Sequence, residues 1–290
     1  MPKLYVVATP IGNLDDMTPR MRAALESASL IAAEDTRVTQ KLMSVIGISR
    51  PMVSNHQHNE EARAPRIIAR MLEEGIDVAV TCDAGTPGIS DPGMELVAAA
   101  WDAGVEVVPV AGPSAGIVAL SAAGFDAREF AFYGFLPREN GALRRKLRDI
   151  AHGPRIAVVY ESPHRIVNLV EQIAQELAGA RICVCCDLTK RFEKIERGDA
   201  GEVLERLRAN SNVEKGEYCV AIELPPQQEE QPKAALSPRH MVMDALLEGM
   251  SMKDAVKRAA QAGANRQEAY AAGLEIKRRM EELFGGESDE

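Results

Sequence analysis

Carboxylate side chains follow three apolar runs of the sequence, each typical of a buried strand. Glu34 and Asp35 follow the first run, Asp83 follows the second, and Glu161 ends the third. In open α/β sheets, ligands bind outside the carboxyl ends of the strands. These acids are therefore candidates for binding or catalysis. Arg37, close to Asp35, fits either a functional pair or a structural ion pair at a helix cap.

The loop 82–93 stands out by composition. It holds three glycines, two prolines and two acids between an apolar strand and a predicted helix at 95–103. Glycines let the backbone approach a ligand closely, and prolines stiffen a loop. This density favours a ligand-binding loop over a plain strand-to-helix turn.

Two further glycine-containing turns join a predicted strand to a predicted helix, at residues 9–14 and 111–116. Free N–H groups at the second helix could bind a carboxylate or a ribose hydroxyl, or Ser114 could be a plain N-cap. Neither a GxGxxG nor a GxxxxGK[ST] pattern is present. A Rossmann dinucleotide site and a P-loop NTPase are therefore disfavoured.

The cysteines and histidines do not form a metal-binding pattern. Three of the five cysteines lie at 183–186 in one apolar run, and neither a second cysteine pair nor a nearby histidine supports a zinc site. We interpret them as small buried residues of a protein in a reducing compartment. His56 and His58 lack a third ligand nearby, so we interpret them as part of a solvated loop. We expect no bound metal.

Composition limits the classes of partner. The 290-residue chain carries a net charge of -9, which excludes a basic surface over the whole protein. The arginines and lysine at 138–148 form a local basic run, either a phosphate-binding patch or a solvated helix face. No apolar run is long enough to span a membrane, and the amino terminus lacks the features of a signal peptide. We expect a cytoplasmic protein with no membrane contact.

The elements alternate between strand and helix, which predicts an α/β fold with a mainly parallel sheet covered on both faces. A second unit begins near residue 130, and its last strand is predicted at 216–224. The Pro-rich stretch 225–232 is typical of a linker, and the acidic end 285–290 is expected to fray. Helices are predicted at 239–248, 252–262 and 266–284, and the last two resemble a helix-turn-helix. We predict domains at 1–112, 113–225 and 236–290.

Six motifs together resemble one family. They are Ala8-Thr9-Pro10-Ile11-Gly12-Asn13-Leu14, Ala33-Glu34-Asp35-Thr36-Arg37, the segment from Asp83 to Gly93, Gly112-Pro113-Ser114-Ala115, Gly134-Phe135-Leu136-Pro137 and Glu161-Ser162-Pro163-His164-Arg165. The chain is similar to the small-subunit ribosomal RNA methyltransferase I family of the tetrapyrrole-methylase superfamily. The resemblance covers nearly the whole chain, and the combination is far more specific than any single motif.

The resemblance implies two α/β domains with S-adenosylmethionine bound in the cleft between them, a small C-terminal helical domain and a homodimer. It implies 2'-O-methylation of a cytidine ribose in the decoding region of 16S ribosomal RNA, within the 30S subunit. Related enzymes carry a Gly-Asp-Pro loop at the position of Gly85-Thr86-Pro87. Because Thr86 replaces that aspartate, we expect a backbone or hydroxyl contact to the cofactor there.

Carried over by motif, the expected cofactor-binding residues are Pro10, Gly12, Gly85, Thr86, Ile89, Gly112, Ser114, Ala115 and Leu136. A ribose hydroxyl is a poor nucleophile while protonated, so a general base or a polarising cation is expected. The candidate bases are Asp35, Asp83 and Glu161, with Arg37 and Lys190 as polarising or phosphate-orienting groups.

The expected RNA contacts are cationic side chains. They are Arg138, Arg144, Arg145, Lys146, Arg148, Arg165 and Arg191, the segment 190–194, and in the tail Lys253, Lys257, Arg258, Arg266, Lys277, Arg278 and Arg279.

Three rival functions remain open at this point. A helix-turn-helix DNA-binding regulator would use only the last 50 or so residues. A methylase acting on a small molecule such as a tetrapyrrole would leave the basic stretches without a role. A dinucleotide oxidoreductase lacks the glycine fingerprint.

Overall fold

The computed structural model describes residues 1–226 and 237–284. The chain divides into two compact units, the first ending at Pro226 and the second comprising the remaining residues. Most of the predicted linker at 225–232 and the predicted frayed end at 285–290 lie outside the described residues. The proposed boundary near residue 112 falls inside the first unit and stays a prediction.

The first sheet is parallel throughout, as the alternation of strands and helices predicts. Its order is β3-β2-β4-β1-β5. Every residue of β2 and β4 is buried, as expected for strands covered on both faces. Pro109 lies in the edge strand β5, where a missing N–H is tolerated. The strands are β1 (Lys3–Val7), β2 (Leu30–Ala33), β3 (Met52–Ser54), β4 (Val78–Thr81) and β5 (Glu106–Val110).

Helices cover both faces of this sheet. They are α1 (Pro19–Ser27), α2 (Thr36–Val45), α3 (Glu60–Glu74) and α4 (Met94–Asp102). A 3-10 helix (Leu14–Asp16) follows β1, and α5 (Ala115–Ala123) follows β5. Leu30 and Val80 pack with α3 and α4, whereas Ile31 and Ala79 pack with α1 and α2. The predicted cap at Thr18 is confirmed, since its hydroxyl accepts the N–H of Met21 at 3.1 Å.

The second sheet is mixed, with order β6-β7-β10-β8-β9. Only β6 and β7 pair in parallel, and the remaining pairs are antiparallel. Helix α5 packs on one face, and the helices α6, α7 and α8 pack on the other. The elements are β6 (Phe130–Phe135), α6 (Asn140–Ala151), β7 (Ile156–Glu161), α7 (Ile166–Glu176), β8 (Arg181–Cys186), β9 (Lys194–Asp199), α8 (Ala200–Ala209) and β10 (Tyr218–Glu223).

Three elements are absent from the sequence-based prediction. Strands β3 and β9 are short or polar edge strands, and β9 has the sequence KIERGD with no buried residue. Helix α8 buries Val203, Leu204 and Leu207. Their spacing places them on one face of a helix, and this pattern could have predicted α8. Edge strands need only one partner, so a weak apolar pattern is enough to form them.

The C-terminal unit is a small helical domain, as predicted. Its helices are α9 (Pro238–Leu247), α10 (Met252–Gln261) and α11 (Arg266–Phe284), within one residue of the predicted bounds. Val242, Ala255, Val256 and Ile276 belong to its core. Across the described parts of the chain, no helix combines the length and apolarity that a membrane span requires.

Candidate active site

A cleft of about 390 Å³ lies at the carboxyl ends of the first sheet and is closed on its other side by the second sheet. Its size falls within the usual range for small-molecule sites. The lining residues are Ile11, Glu34, Asp83, Ala84, Gly85, Thr86, Ile89, Ser90, Asp91, Ser114, Ala115, Phe135, Tyr160, Glu161, Ser162, Pro163, Cys185, Leu188, Glu217, Tyr218 and Cys219. Of the expected site residues, the cleft therefore gathers Asp83, Glu161, Gly85, Thr86, Ile89, Ser114 and Ala115.

The loop after β4 is tied to two neighbouring loops. Thr9 and Gly85 exchange backbone hydrogen bonds of 2.8 and 3.0 Å, and Gly85 has a φ of +86° that favours glycine. The hydroxyl of Thr86 donates to the carbonyl of Pro113 at 3.2 Å. Three turns that follow β1, β4 and β5 thus form one wall of the cleft.

The N-terminus of α5 is part of the same wall. Ser114 occupies the N-cap position, but its side chain makes no capping hydrogen bond. Instead, the hydroxyl of Tyr160 accepts the N–H of Gly116 at 3.1 Å. Burial raises the pKa of Tyr160, so this group stays protonated. Tyr160 comes from the second sheet and was not among the expected site residues.

Three carboxylates line the first-sheet side of the cleft: Glu34, Asp83 and Asp91. Glu34 accepts the N–H of Asp83 at 3.1 Å, and Asp83 accepts the N–H of Asp35 at 3.1 Å. Burial is the largest cause that raises the pKa of all three groups, and it raises that of Asp91 to about 6. Repulsion between neighbouring carboxylates adds to the effect.

Glu161 lies on the opposite side of the cleft and is buried. It forms an ion pair with Arg165 at 3.1 Å and accepts the N–H of Ser162 at 2.7 Å. Arg165 also donates to the carbonyls of Leu136 and Pro137. The expected RNA contact Arg165 is therefore engaged in holding the loop after β6.

Asp35 and Arg37 do not line the cleft. Asp35 is the N-cap of α2 and accepts the backbone N–H of Arg37 at 2.8 Å. Its carboxylate also binds the guanidinium of Arg37 at 2.6 Å, and these hydrogen bonds lower its pKa to about 2. The geometry is that of the structural alternative, a capped helix with an exposed ion pair. A catalytic role for either residue stays a prediction.

Lys190 also lies outside the cleft lining. Its ammonium pairs with Asp187 at 3.0 Å and with Glu217 at 2.8 Å. Gly12 packs against this segment, because a Cβ there would collide with the Lys190 side chain. Gly12 thus joins the turn after β1 to the loop after β8.

The remaining expected cofactor residues Pro10, Gly112 and Leu136 do not line the cleft either. Leu136 is buried in the core of the second sheet. A Cβ on Gly112 would lie 2.6 Å from the Cβ of Ala8, so this glycine permits close packing of two turns. Contacts of these residues with a cofactor stay a prediction.

A family model described as Tetrapyrrole (Corrin/Porphyrin) Methylases matches residues 3–204. The chain belongs to this family. Curated relatives named "Ribosomal RNA small subunit methyltransferase I" narrow the assignment. The protein of Xylella fastidiosa is 43% identical over 76% of this chain and 81% of its own length. That of Bacillus subtilis is 40% identical over 89% of this chain and 88% of its own length.

The chain is therefore also a member of the ribosomal RNA small subunit methyltransferase I family, which confirms the resemblance stated from the motifs. Solved structures share the tetrapyrrole methylase fold. The methyltransferase CobJ has a TM-score of 0.58 at 22% identity, covering 77% of this chain and 95% of that chain. Uroporphyrin-III C-methyltransferase of Thermus thermophilus, complexed with S-adenosylhomocysteine, has a TM-score of 0.53 at 17% identity, covering 76% and 97%.

The cationic side chains expected to bind RNA fall into two groups in this methylase: those held by contacts within the protein and those exposed to solvent. Arg144 donates to Gln172 at 2.6 Å, and Arg148 pairs with Glu176 at 2.7 Å, so both join α6 to α7. Lys146 lies over the ring of Tyr133. Two exposed arginines, Arg138 and Arg145, form no hydrogen bond or ion pair within the described residues, and the exposed Arg191 stacks on Phe192. The last three are the most available for phosphate contacts.

The cysteines are free thiols, and four of the five are buried, as predicted. Cys185 and Cys219 face each other across neighbouring strands and line the cleft. Sequence reasoning missed this placement because it depends on the register of β8 and β10. Both ring nitrogens of His56 contact groups of its own loop, on His58 and Asn59.

Proposed function

We propose that this protein uses S-adenosylmethionine to methylate the 2'-hydroxyl of a cytidine in the decoding region of 16S ribosomal RNA. Membership of the ribosomal RNA small subunit methyltransferase I family, at about 40% identity over most of the chain, carries this proposal. The acceptor is the RNA within the 30S subunit. The enzyme acts in the cytoplasm as a homodimer.

The cleft fits the cofactor in size and charge. S-adenosylmethionine carries a positively charged sulfonium, and the carboxylates Glu34, Asp83 and Asp91 provide a negative wall. Gly85, Thr86 and Ile89 would hold it from the loop after β4, and Ser114 and Ala115 from the N-terminus of α5. When bound, it supplies a methyl group that is already activated for displacement.

The protein's own part in the reaction is alignment and proton removal. Holding donor and acceptor in line can contribute several kcal/mol. A positioned base contributes about 10²–10⁴-fold by accepting the hydroxyl proton. Of the bases expected from the sequence, Asp83 and Glu161 line the cleft, whereas Asp35 is bound to Arg37.

The test is incubation with labelled S-adenosylmethionine and 30S subunits from cells that lack this enzyme, followed by mapping of the modified nucleotide. We expect one 2'-O-methylcytidine in the decoding region. Label on another nucleotide, or label on a small molecule in a reaction without RNA, would overturn the proposal. Binding of S-adenosylhomocysteine measured by calorimetry reports separately on the cofactor site.

A further inference from the structure

We propose that Asp91 accepts the proton of the attacking ribose hydroxyl. This assignment rests on the proposed function and names a catalytic residue other than the bases expected from the sequence, which are Asp35, Asp83 and Glu161. It follows from the placement of Asp91 in the cleft, from its lack of a partner and from the way its loop is fixed.

Asp91 is the cleft carboxylate that is free to receive a proton. It is half-buried and lines the cleft, and it forms no hydrogen bond or ion pair with any residue that the structure describes. Glu34 and Asp83 accept backbone N–H groups, and Glu161 is paired with Arg165. A base that already accepts hydrogen bonds or pairs with a guanidinium is a weaker proton acceptor.

The backbone holds Asp91 in place from both sides. Ser90 has a φ of +69°, a conformation that costs about 1–3 kcal/mol outside glycine and is concentrated at functional sites. On the other side, the N–H of Gly93 donates to the buried Glu60 at 2.8 Å. The N–H of Gly88 also donates to the carbonyl of Pro92 at 3.2 Å.

The loop also reaches the second sheet. A Cβ on Gly134 would lie 2.8 Å from the hydroxyl oxygen of Ser90, so the residue next to Asp91 packs closely on β6. Asp91 therefore stands where both sheets border the cleft. A base that is fixed on a rigid support is pre-organised for proton transfer.

The surroundings of Asp91 tune it for this role. The titratable groups that interact with it electrostatically are Glu34, Asp83, Cys82 and Tyr160, and no cation is among them. Burial, followed by the charges of Glu34 and Asp83, raises the pKa of Asp91 to about 6. The group is therefore ionised at neutral pH and is a stronger base than an ordinary aspartate.

The step balances without a further reactant. The ribose oxygen forms a bond to the methyl carbon while the carbon–sulfur bond breaks. The electron pair of the broken carbon–sulfur bond stays on sulfur. The hydroxyl proton passes to the Asp91 carboxylate and leaves to solvent afterwards. The products are the methyl ether and neutral S-adenosylhomocysteine.

The experiment is single-turnover methylation of 30S subunits at saturating S-adenosylmethionine, measured from pH 5 to pH 9. For Asp91→Asn we expect a loss of about 100-fold or more, with Asp91→Glu recovering part of the rate. In the wild-type enzyme the rate should fall at acidic pH as Asp91 becomes protonated, and this acid limb should be absent from the residual rate of Asp91→Asn. Asp102→Asn, at the exposed end of α4, is the matched control and should keep the wild-type rate.

The outcomes separate the two proposals. Asp91→Asn with a rate within threefold of wild type, or with the acid limb retained, would overturn the role of Asp91 while leaving the proposed function intact. A wild-type enzyme that binds S-adenosylhomocysteine but does not methylate 30S subunits would overturn both. If Asp91→Asn fails to fold, Asp91→Ser takes its place, and a rate within threefold of wild type in that variant contradicts the assignment.

Discussion

Asp91 makes the folded protein less stable at neutral pH, because its charge is partly buried without a partner. Its pKa is about 6 in the fold and about 4 in an unfolded chain. Below pH 4 both states are protonated and the penalty is absent, and above pH 6 it is fully present. The raised pKa corresponds to roughly 3 kcal/mol, which solvent in the open cleft reduces to about 1 kcal/mol.

We therefore expect Asp91→Asn to raise the free energy of unfolding by about 1 kcal/mol at pH 8 and to leave it unchanged at pH 4. Urea denaturation without cofactor at both pH values measures this difference. Asp102→Asn controls for the loss of one carboxylate and should show no such gain. An equal effect of Asp91→Asn at the two pH values would contradict the burial of an ionised group.

Gly112 lies in the turn after β5, which packs too closely against Ala8 and Met21 to leave room for a side chain. A Cβ there would lie 2.6 Å from the Cβ of Ala8 and 3.2 Å from the Cε of Met21. Ala8 cannot move independently of the strand end, so Gly112→Ala should lower the free energy of unfolding by about 2 kcal/mol. The control is Gly201→Ala in the first turn of α8, where the nearest atom to a Cβ is Oδ1 of Asp199 at 3.3 Å, on an exposed side chain that can shift. Alanine also favours the helix over glycine, so this variant should lose little or no stability. Equal stability of the two variants would show that the turns separate at little cost.

At the scale of elements, an ion pair joins the start of α7 to the loop after β6. Arg165 pairs with the buried Glu161 and donates to two carbonyls of that loop. Removing the guanidinium leaves a buried carboxylate without its cation, so Arg165→Ala should lower the free energy of unfolding by about 3 kcal/mol. Adding Glu161→Gln should recover part of the loss.

Arg145 on α6 is the matched control, since it is exposed and has no hydrogen-bond partner in residues 1–226 or 237–284. Arg145→Ala should leave unfolding unchanged and weaken binding to 30S subunits. If Arg165→Ala instead lowered the affinity for 30S subunits and kept full stability, Arg165 would be an RNA contact and not a structural residue.

The sequence was sufficient to predict elements whose local signals agree. The apolar run 78–81 and the cap at Thr18 depend only on neighbouring residues, and the structure confirms both. Strand β9 was missed because its polar residues form an edge that only β8 stabilises. The sequence did not predict roles for Asp91 and Tyr160, because these residues differ from other polar residues only in what surrounds them in the fold.

At the scale of the molecule, a net charge of -9 must be reconciled with an RNA substrate. The carboxylates of the cleft repel phosphate, so the long-range attraction has to come from exposed cations elsewhere. In the C-terminal unit, Arg278 and Arg279 pair with glutamates on their own helix. Lys253, Lys257 and Arg266 are exposed and form no ion pair within the described residues. These three side chains are the best candidates for phosphate contacts by this unit.

We expect the triple variant Lys253→Ala, Lys257→Ala and Arg266→Ala to bind 30S subunits at least tenfold more weakly at 100 mM salt. Each lost phosphate contact should reduce the slope of log affinity against log salt concentration by about 1. Affinity for S-adenosylhomocysteine should stay unchanged, because the described residues that line the cleft all lie between Ile11 and Cys219. Filter binding over a salt series and calorimetry measure the two quantities. An unchanged salt slope would show that the helical unit contributes something other than charge, and the search for RNA contacts would then centre on Arg138, Arg145 and Arg191.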